Sequence, residues 1–225
     1  MKRPLPAFLI MTLCVFAVSR GVLAQDTAKV AWLDKELSNW NKAGAALPRA
    51  PKGGGGLASN PRCKPTVRRA ENAQDRLADA AGWTLFGPVQ SHSGTVVIQA
   101  MSDVDGMCRP WGYQTFVFVN GRFAGTLSPT VMDSRTDGSL MTARLYTPSD
   151  LSAEFSRYKE TDPLCCASRQ SNVSYRVDIT PKGPLVVPLS VETSGTGSGT
   201  GSAASTTEKS IMAGTVSRES LARSK

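Results

Sequence analysis

Four cysteines, Cys63, Cys108, Cys165 and Cys166, stand in or beside loop-like stretches of a chain whose central part is otherwise written as short β-strands. Crosslinks at such places narrow the folds open to the chain, because each bridge holds two connections together whatever the strands between them do. They read as staples of a single loop cluster. Four cysteines allow three pairings. A ring closed between the neighbours Cys165 and Cys166 needs a distorted backbone, so the expected pairings join Cys63 and Cys108 each to one member of the doublet. The functional alternative makes the doublet a redox or metal-binding dithiol. Its spacing is not that of a CxxC site, and no histidine accompanies it.

An oxidising compartment is consistent with the start of the chain. Lys2 and Arg3 precede an apolar run over residues 7–18, shorter than the ~20 residues a membrane-spanning helix requires. Val22 and Ala24 then supply the small or apolar side chains that signal peptidase accepts before Gln25. Residues 1–24 are therefore expected to be a signal peptide cleaved near Ala24. The product is periplasmic or secreted and has no stable membrane span; the alternative is an uncleaved anchor. Cys14 follows Met11-Thr12-Leu13, which lacks the small residue a lipidated cysteine normally follows. Cleavage removes Lys2, Arg3 and Arg20 and no acid, so 23 cations face 18 acids and the net charge falls from +8 to +5. These cations are dispersed, whereas a nucleic-acid groove concentrates them among aromatic rings. No nucleic-acid partner is expected, and anionic envelope surfaces remain open as weak ones.

Composition divides the rest. Residues 43–60 carry Pro48, Pro51 and four consecutive glycines, Gly53 to Gly56, and read as a linker. Residues 193–207 are nearly all Ser, Thr, Gly and Ala, which bury too little apolar surface to offset the entropy of ordering them. The expected organisation is a short helix and Gly/Pro-rich linker over 25–60, a β-rich domain over 61–188 and a disordered tail over 189–225. Val30, Leu33, Leu37 and Trp40 are spaced as one face of a helix over 27–43. A second helix is expected over 66–81, capped by Thr66, striped by Ala70, Ala73 and Leu77 and ended by Gly82. Its charges, Arg68, Arg69, Glu71, Asp75, Arg76 and Asp79, read as ordinary exposed pairs.

Strands are expected over 95–101, 114–119, 122–127, 140–146, 151–158 and 173–179, with 83–86 as an additional edge. Asn120-Gly121 supplies the two positive φ values of a type I′ hairpin turn, and Thr147 to Asp150 makes another tight turn. The fold class is α+β, mainly antiparallel β: a six- to seven-stranded meander sheet with one or two helices packed on it. Strands that alternate in direction put the tight turns at one end. The long loops over 102–113, 128–139 and 159–172 then share the other, where binding usually resides.

Asp103, Asp105 and Gly106 resemble the opening of a calcium loop, with Asp133, Asp137 and Asp162 in neighbouring loops. No EF-hand glutamate follows, and Asp-Gly is a common turn former. The preferred reading has these aspartates capping loop backbone and pairing with Arg109, Arg135 and Arg169. His92 has no carboxylate and nucleophile beside it in the sequence, and Gly53 to Gly56 lack the Lys-Ser of a phosphate loop. No catalytic residue and no cofactor other than that calcium is assigned.

The succession DGMCRPW, FVFVNGRFAGTLSP, MDSRTDG and FSRYKETDPLCCAS closely resembles the LppP/LprE-type family of bacterial cell-envelope proteins, over about residues 81–177. The resemblance implies an exported envelope protein of bacteria, of a family for which no enzymatic activity is established. This chain departs from the lipoproteins that give the family its name, since it lacks a good lipid-attachment cysteine. Phe116, Phe118 and Phe123 fall at strand positions suited to a core. The polar MDSRTDG string is less easily explained by packing, which nominates Asp133, Arg135 and Asp137, with Arg109, Trp111 and Arg157, as ligand-facing. Arginine forks suit the carboxylate or phosphate of a small anionic ligand; an unknown envelope component is the other partner. Two functions are carried forward: a noncatalytic binding or interaction domain, and a thiol-based or metal-dependent enzyme using Cys165 and Cys166.

Overall fold

A computed structural model describes residues 31–195; the expected signal peptide, Cys14 and the tail beyond 195 lie outside the described residues. Eight antiparallel strands form two four-stranded sheets: β1 Thr84–His92, β2 Thr95–Val104, β3 Pro110–Val119 and β4 Arg122–Thr126 in one, and β5 Leu140–Leu145, β6 Asp150–Arg157, β7 Arg169–Thr180 and β8 Gly183–Gly195 in the other. This corrects the expected single six- to seven-stranded meander. Each sheet is a meander in itself, and the 128–139 loop carries the chain from one to the other. The antiparallel class and the hairpin at Asn120-Gly121 are as expected, with Asn120 at φ 48° and Gly121 at φ 79°.

The two sheets bury different patterns. In β2 and β3 the odd positions Val97, Met101, Tyr113, Val117 and Val119 face the second sheet across the main core. The even positions Ile98, Ala100, Phe116 and Phe118 form a second cluster with Trp83 and Leu85 under helix α2, Ala73–Ala80. Both faces are covered, which explains the nearly continuous apolar run of β3. β6 and β7 bury only alternate residues, Leu151, Ala153, Phe155, Val173, Tyr175 and Val177, and turn Ser, Glu, Asn and Arg to solvent.

The front of the domain differs from the sequence expectation. In the described part of 27–43 no α-helix forms. A single 3-10 turn, Trp32–Asp34, is followed by irregular chain. This segment docks through side chains: Trp32 packs edge-on to Phe155 and Trp40, at 5.2 and 5.1 Å between ring centroids. The Trp40 indole N–H donates to Thr126 Oγ1 at 3.0 Å. Residues 43–60 are laid along the first sheet, where Leu47 and Ala50 join the second cluster and the Trp83 indole donates to Pro48 O at 2.7 Å. A four-residue helix, α1 Gly56–Ser59, and a 3-10 segment, Pro61–Thr66, follow.

Helix α2 begins later than expected, at Ala73. Asn72 is its cap and accepts the Asp75 N–H at 2.8 Å. The stretch before it is extended, with a bridge between Val67 and Phe86. Arg68 and Asp75, expected as an exposed pair, are instead enclosed: Asp75 is fully buried and takes both arms of the Arg68 fork at 2.6 Å. Strand β8 was not expected at all. It follows β7 through the tight turn Pro181-Lys182, and Thr180 Oγ1 donates to Gly183 O.

Candidate functional site

The four tight turns, Ser93-Gly94 between β1 and β2, Asn120-Gly121, Thr147 to Asp150 and Pro181-Lys182, lie at one end of the molecule. Asn120 N–H donates to Gly94 O, Thr95 Oγ1 to Pro148 O and Arg122 to Lys182 O. The long loops meet at the other end, as strand alternation requires. Loop 128–139 is the middle piece. Its Met132 exchanges backbone hydrogen bonds with Tyr113, Asp133 Oδ1 accepts the Gly112 N–H at 2.7 Å, and Ser134 donates to Pro110 O. On its other side Arg135 donates to Leu164 O at 3.0 Å, and Asp137 accepts the Tyr158 N–H at 2.8 Å. The expected loop 102–113 is mostly strand, since β2 runs to Val104 and β3 starts at Pro110, so loop 128–139 joins the start of β3 to the β6–β7 loop as one hydrogen-bonded rim.

Most of the charged residues nominated from the sequence hold this rim in place. Asp105 Oδ1 accepts the backbone N–H groups of Met107 and Arg109, and its other oxygen takes the Arg109 side chain. Burial would raise its pKa, but these donors outweigh burial and lower it. Asp103 lies in β2, where its carboxylate accepts N–H groups from Gly56, Leu57 and Val104 at 2.7–2.9 Å. Here too burial acts upward and the backbone donors win, holding the carboxyl below its usual range. Both oxygens of each aspartate are thereby engaged. Among the described residues no group of three or more His, Cys, Asp or Glu side chains is placed to hold a metal ion. Asp162 plays the same part in the third loop, accepting the Lys159 and Ser168 N–H groups.

Arg157, nominated as ligand-facing, is enclosed. It continues the inward parity of Phe155 and is 0% exposed. Its Nε donates to Asp137, Nη1 to Ser171 Oγ and Nη2 to Asp34. Burial alone would lower its pKa; the two carboxylates reverse the effect and raise it. The nominees that do present themselves to solvent are Trp111, 49% exposed, Arg135 and Asp137, with Asp133 and Arg109 half-buried. Around them the rim exposes Met107, Val131 and Leu164, apolar residues that the sequence reading had not nominated.

The sulfur pairing differs from the expected one. Cys63 is bonded to Cys108, and Cys165 to Cys166. No bridge joins the first loop to the third, and hydrogen bonds through loop 128–139 replace it. The Cys63–Cys108 bond spans 45 residues of sequence, a closure worth about 4 kcal/mol by loop entropy. It fastens the 3-10 segment to the β2–β3 loop.

Two cavities open at this end. One, about 650 Å³, lies between the rim and the front segment and is lined by Trp32, Lys35, Val131, Asp133 and Asp137 among others. The other, about 660 Å³, lies beside the Cys63–Cys108 bridge, where Gly53, Gly55, Leu57 and Ala58 face Lys64, Val67 and Arg69. Sequence reading missed the second because it took Gly53 to Gly56 as a linker and Arg68 and Arg69 as the outer face of a helix. The run of glycines was the available signal. A Cβ on Gly56 would stand 2.3 Å from Val104 O, so the loop approaches β2 as only glycine allows.

With this geometry in place, comparison with known proteins gives one finding. The family model described as LppP/LprE lipoprotein matches residues 91–180, from the end of β1 through β7. No curated protein and no solved structure matches the chain.

Proposed function

We propose that this chain, which carries an LppP/LprE lipoprotein region over residues 91–180, is an envelope protein whose domain is a noncatalytic interaction module. Its contact surface is the loop rim. One observation carries the reading: the rim's aspartates and Arg157 are committed to backbone N–H groups or to each other, while Trp111, Met107, Leu164 and Arg135 are left outward on a braced support. Such a surface recognises by shape, aromatic contact and arginine, the residue types that dominate binding energy at protein interfaces. The partner is an envelope component. No named helix among the described residues is long and apolar enough to cross a membrane, and the placement in the envelope, after removal of residues 1–24, rests on the family and on the leader-like start of the sequence.

The enzyme alternative built on Cys165 and Cys166 finds less support. Their mutual bond leaves no thiolate for a metal, and no histidine stands near to serve a redox step, since His92 ends β1 at the tight-turn end, across the molecule from them. The test is co-sedimentation of the full chain with isolated envelope from the producing cell. A Trp111→Ala, Arg135→Ala double variant should lose association about tenfold or more, while Arg122→Ala at the turn end keeps it. Equal loss from both variants would remove the assignment to the rim.

A further inference from the structure

We propose that the cavity beside the Cys63–Cys108 bridge is a binding site for a small anionic amphiphile, with the acidic head held by Lys64 and Arg69 and the apolar part lying on Leu57, Ala58 and Val67. This goes beyond the interaction rim and stands without it. The segment 53–69 that builds most of the cavity also lies before the family-matched region.

Three independent attachments fix the walls. The glycine loop is pinned by the Asp103 carboxylate through the Gly56 and Leu57 N–H groups. The 3-10 segment carrying Lys64 is held by the disulfide from Cys63. The stretch beyond it is tied to β1 by the Val67–Phe86 bridge and the Arg68 N–H to Leu85 O. A concavity built this way exists before a ligand arrives, which spares the ordering cost of binding. Its volume of about 660 Å³ falls within the range of small-molecule sites.

The charge of the lining selects the ligand. Lys64, Arg68 and Arg69 are its cations and Asp103 its acid. Asp75 already neutralises Arg68, and backbone N–H groups surround Asp103. Lys64 and Arg69 are exposed, and neither enters an ion pair among the described residues. The lining is otherwise mostly apolar. An uncharged apolar molecule would gain nothing from the two cations, and a bare anion would leave the apolar wall wet. A carboxylate or phosphate bearing a short hydrocarbon chain satisfies both.

The experiment is calorimetric titration of the full chain with decyl phosphate and decanoate below their micelle concentrations. Inorganic phosphate and decyltrimethylammonium serve as the head-only and opposite-charge probes. The expected result is one saturable site for the two anionic amphiphiles, weakened about tenfold or more by Lys64→Ala with Arg69→Ala. Ala58→Trp, which crowds the apolar wall with an indole and leaves the cations in place, should weaken it as well. Inorganic phosphate should bind far more weakly and decyltrimethylammonium not at all. Equal affinity for the cationic probe, or unchanged affinity in both variants, would overturn the site. Binding to phosphatidylglycerol vesicles without binding of monomeric decyl phosphate would overturn it in favour of an open membrane contact. Should the double variant fail to fold, the Ala58→Trp titration decides alone.

Discussion

Arg157 occupies the inward position that follows Leu151, Ala153 and Phe155 in β6, so the strand's own alternation carries a guanidinium into the domain interior. That much was legible from parity, although the residue was nominated as ligand-facing together with the polar string over 132–138. Its partners were not legible. Asp34 lies in a segment whose apolar spacing suggested a helix, and Asp137 lies a loop away. The pair energies follow from exposure: Arg157 is enclosed, while the Asp34 side chain is 45% exposed and screened by water. Arg157→Ala should therefore lower unfolding stability by about 2–3 kcal/mol, through the packing and charge-assisted hydrogen bonds lost where its side chain is enclosed. Asp34→Asn should lower it by about 1 kcal/mol or less. Urea unfolding of the two variants measures both.

At the scale of elements, the two sheets meet edge to edge at two places, and a primary amide closes each. Gln90, beyond a register shift in β1, donates to Ala143 O at 2.7 Å and accepts the Leu145 N–H at 2.9 Å, linking β1 to β5. Asn41 links β4 to β8. It accepts the Thr126 N–H at 2.9 Å and donates to Thr126 O and Val186 O. An amide has a donor and an acceptor on one planar group, so it can stand in for a strand residue where the ladder stops. The room for Asn41 comes from Gly125 at φ 145°, where a Cβ would sit 2.5 Å from the Asn41 Cγ. Asn41→Ala should cost about 1–2 kcal/mol and raise amide exchange along the β4 and β8 edges. Gly125→Ala should cost more in Asn41 than in the Asn41→Ala background, because the clash goes with the amide. Additive costs would show that the two residues do not share the gap. Sequence showed Gly125 within a strand, but nothing in composition marks Asn41 as its neighbour.

Over the whole molecule, strand existence and the grouping of the loops were readable, because the alternating patterns and the Asn120-Gly121 turn depend on local chemistry. The split into two sheets was less so: β2 and β3 bury both faces and β6 and β7 one, a difference visible in composition that a single meander leaves unexplained. Strand β8 escaped notice because its Pro184, Pro188 and closing Ser and Thr residues match loop composition. Pairing along β7 supplies the ordering that its own side chains do not.

The anchoring aspartates also set the response to acid. Asp75, Asp103 and Asp105 all have lowered pKa values in the fold, since Arg68, Arg109 and backbone N–H groups outweigh the upward effect of burial. A lowered folded-state value stabilises the fold fully above the ordinary aspartate value of 3.8 and loses that contribution as pH falls below it. The melting temperature should be flat on the neutral side of that value and fall steeply below it. Asp75→Asn should flatten the acid limb. A fall centred near neutrality would point to groups other than these.

The rim can be compared with the opposite end in a single experiment, photo-crosslinking in the producing cell. A photoreactive residue at position 111 samples the loop rim, and one at position 182 samples the tight-turn end, on the same fold and at the same abundance. Discrete adducts from position 111 with none from position 182 are the predicted result. Adducts from position 182 alone, or the same adducts from both, would contradict the assignment of contact to the long-loop end.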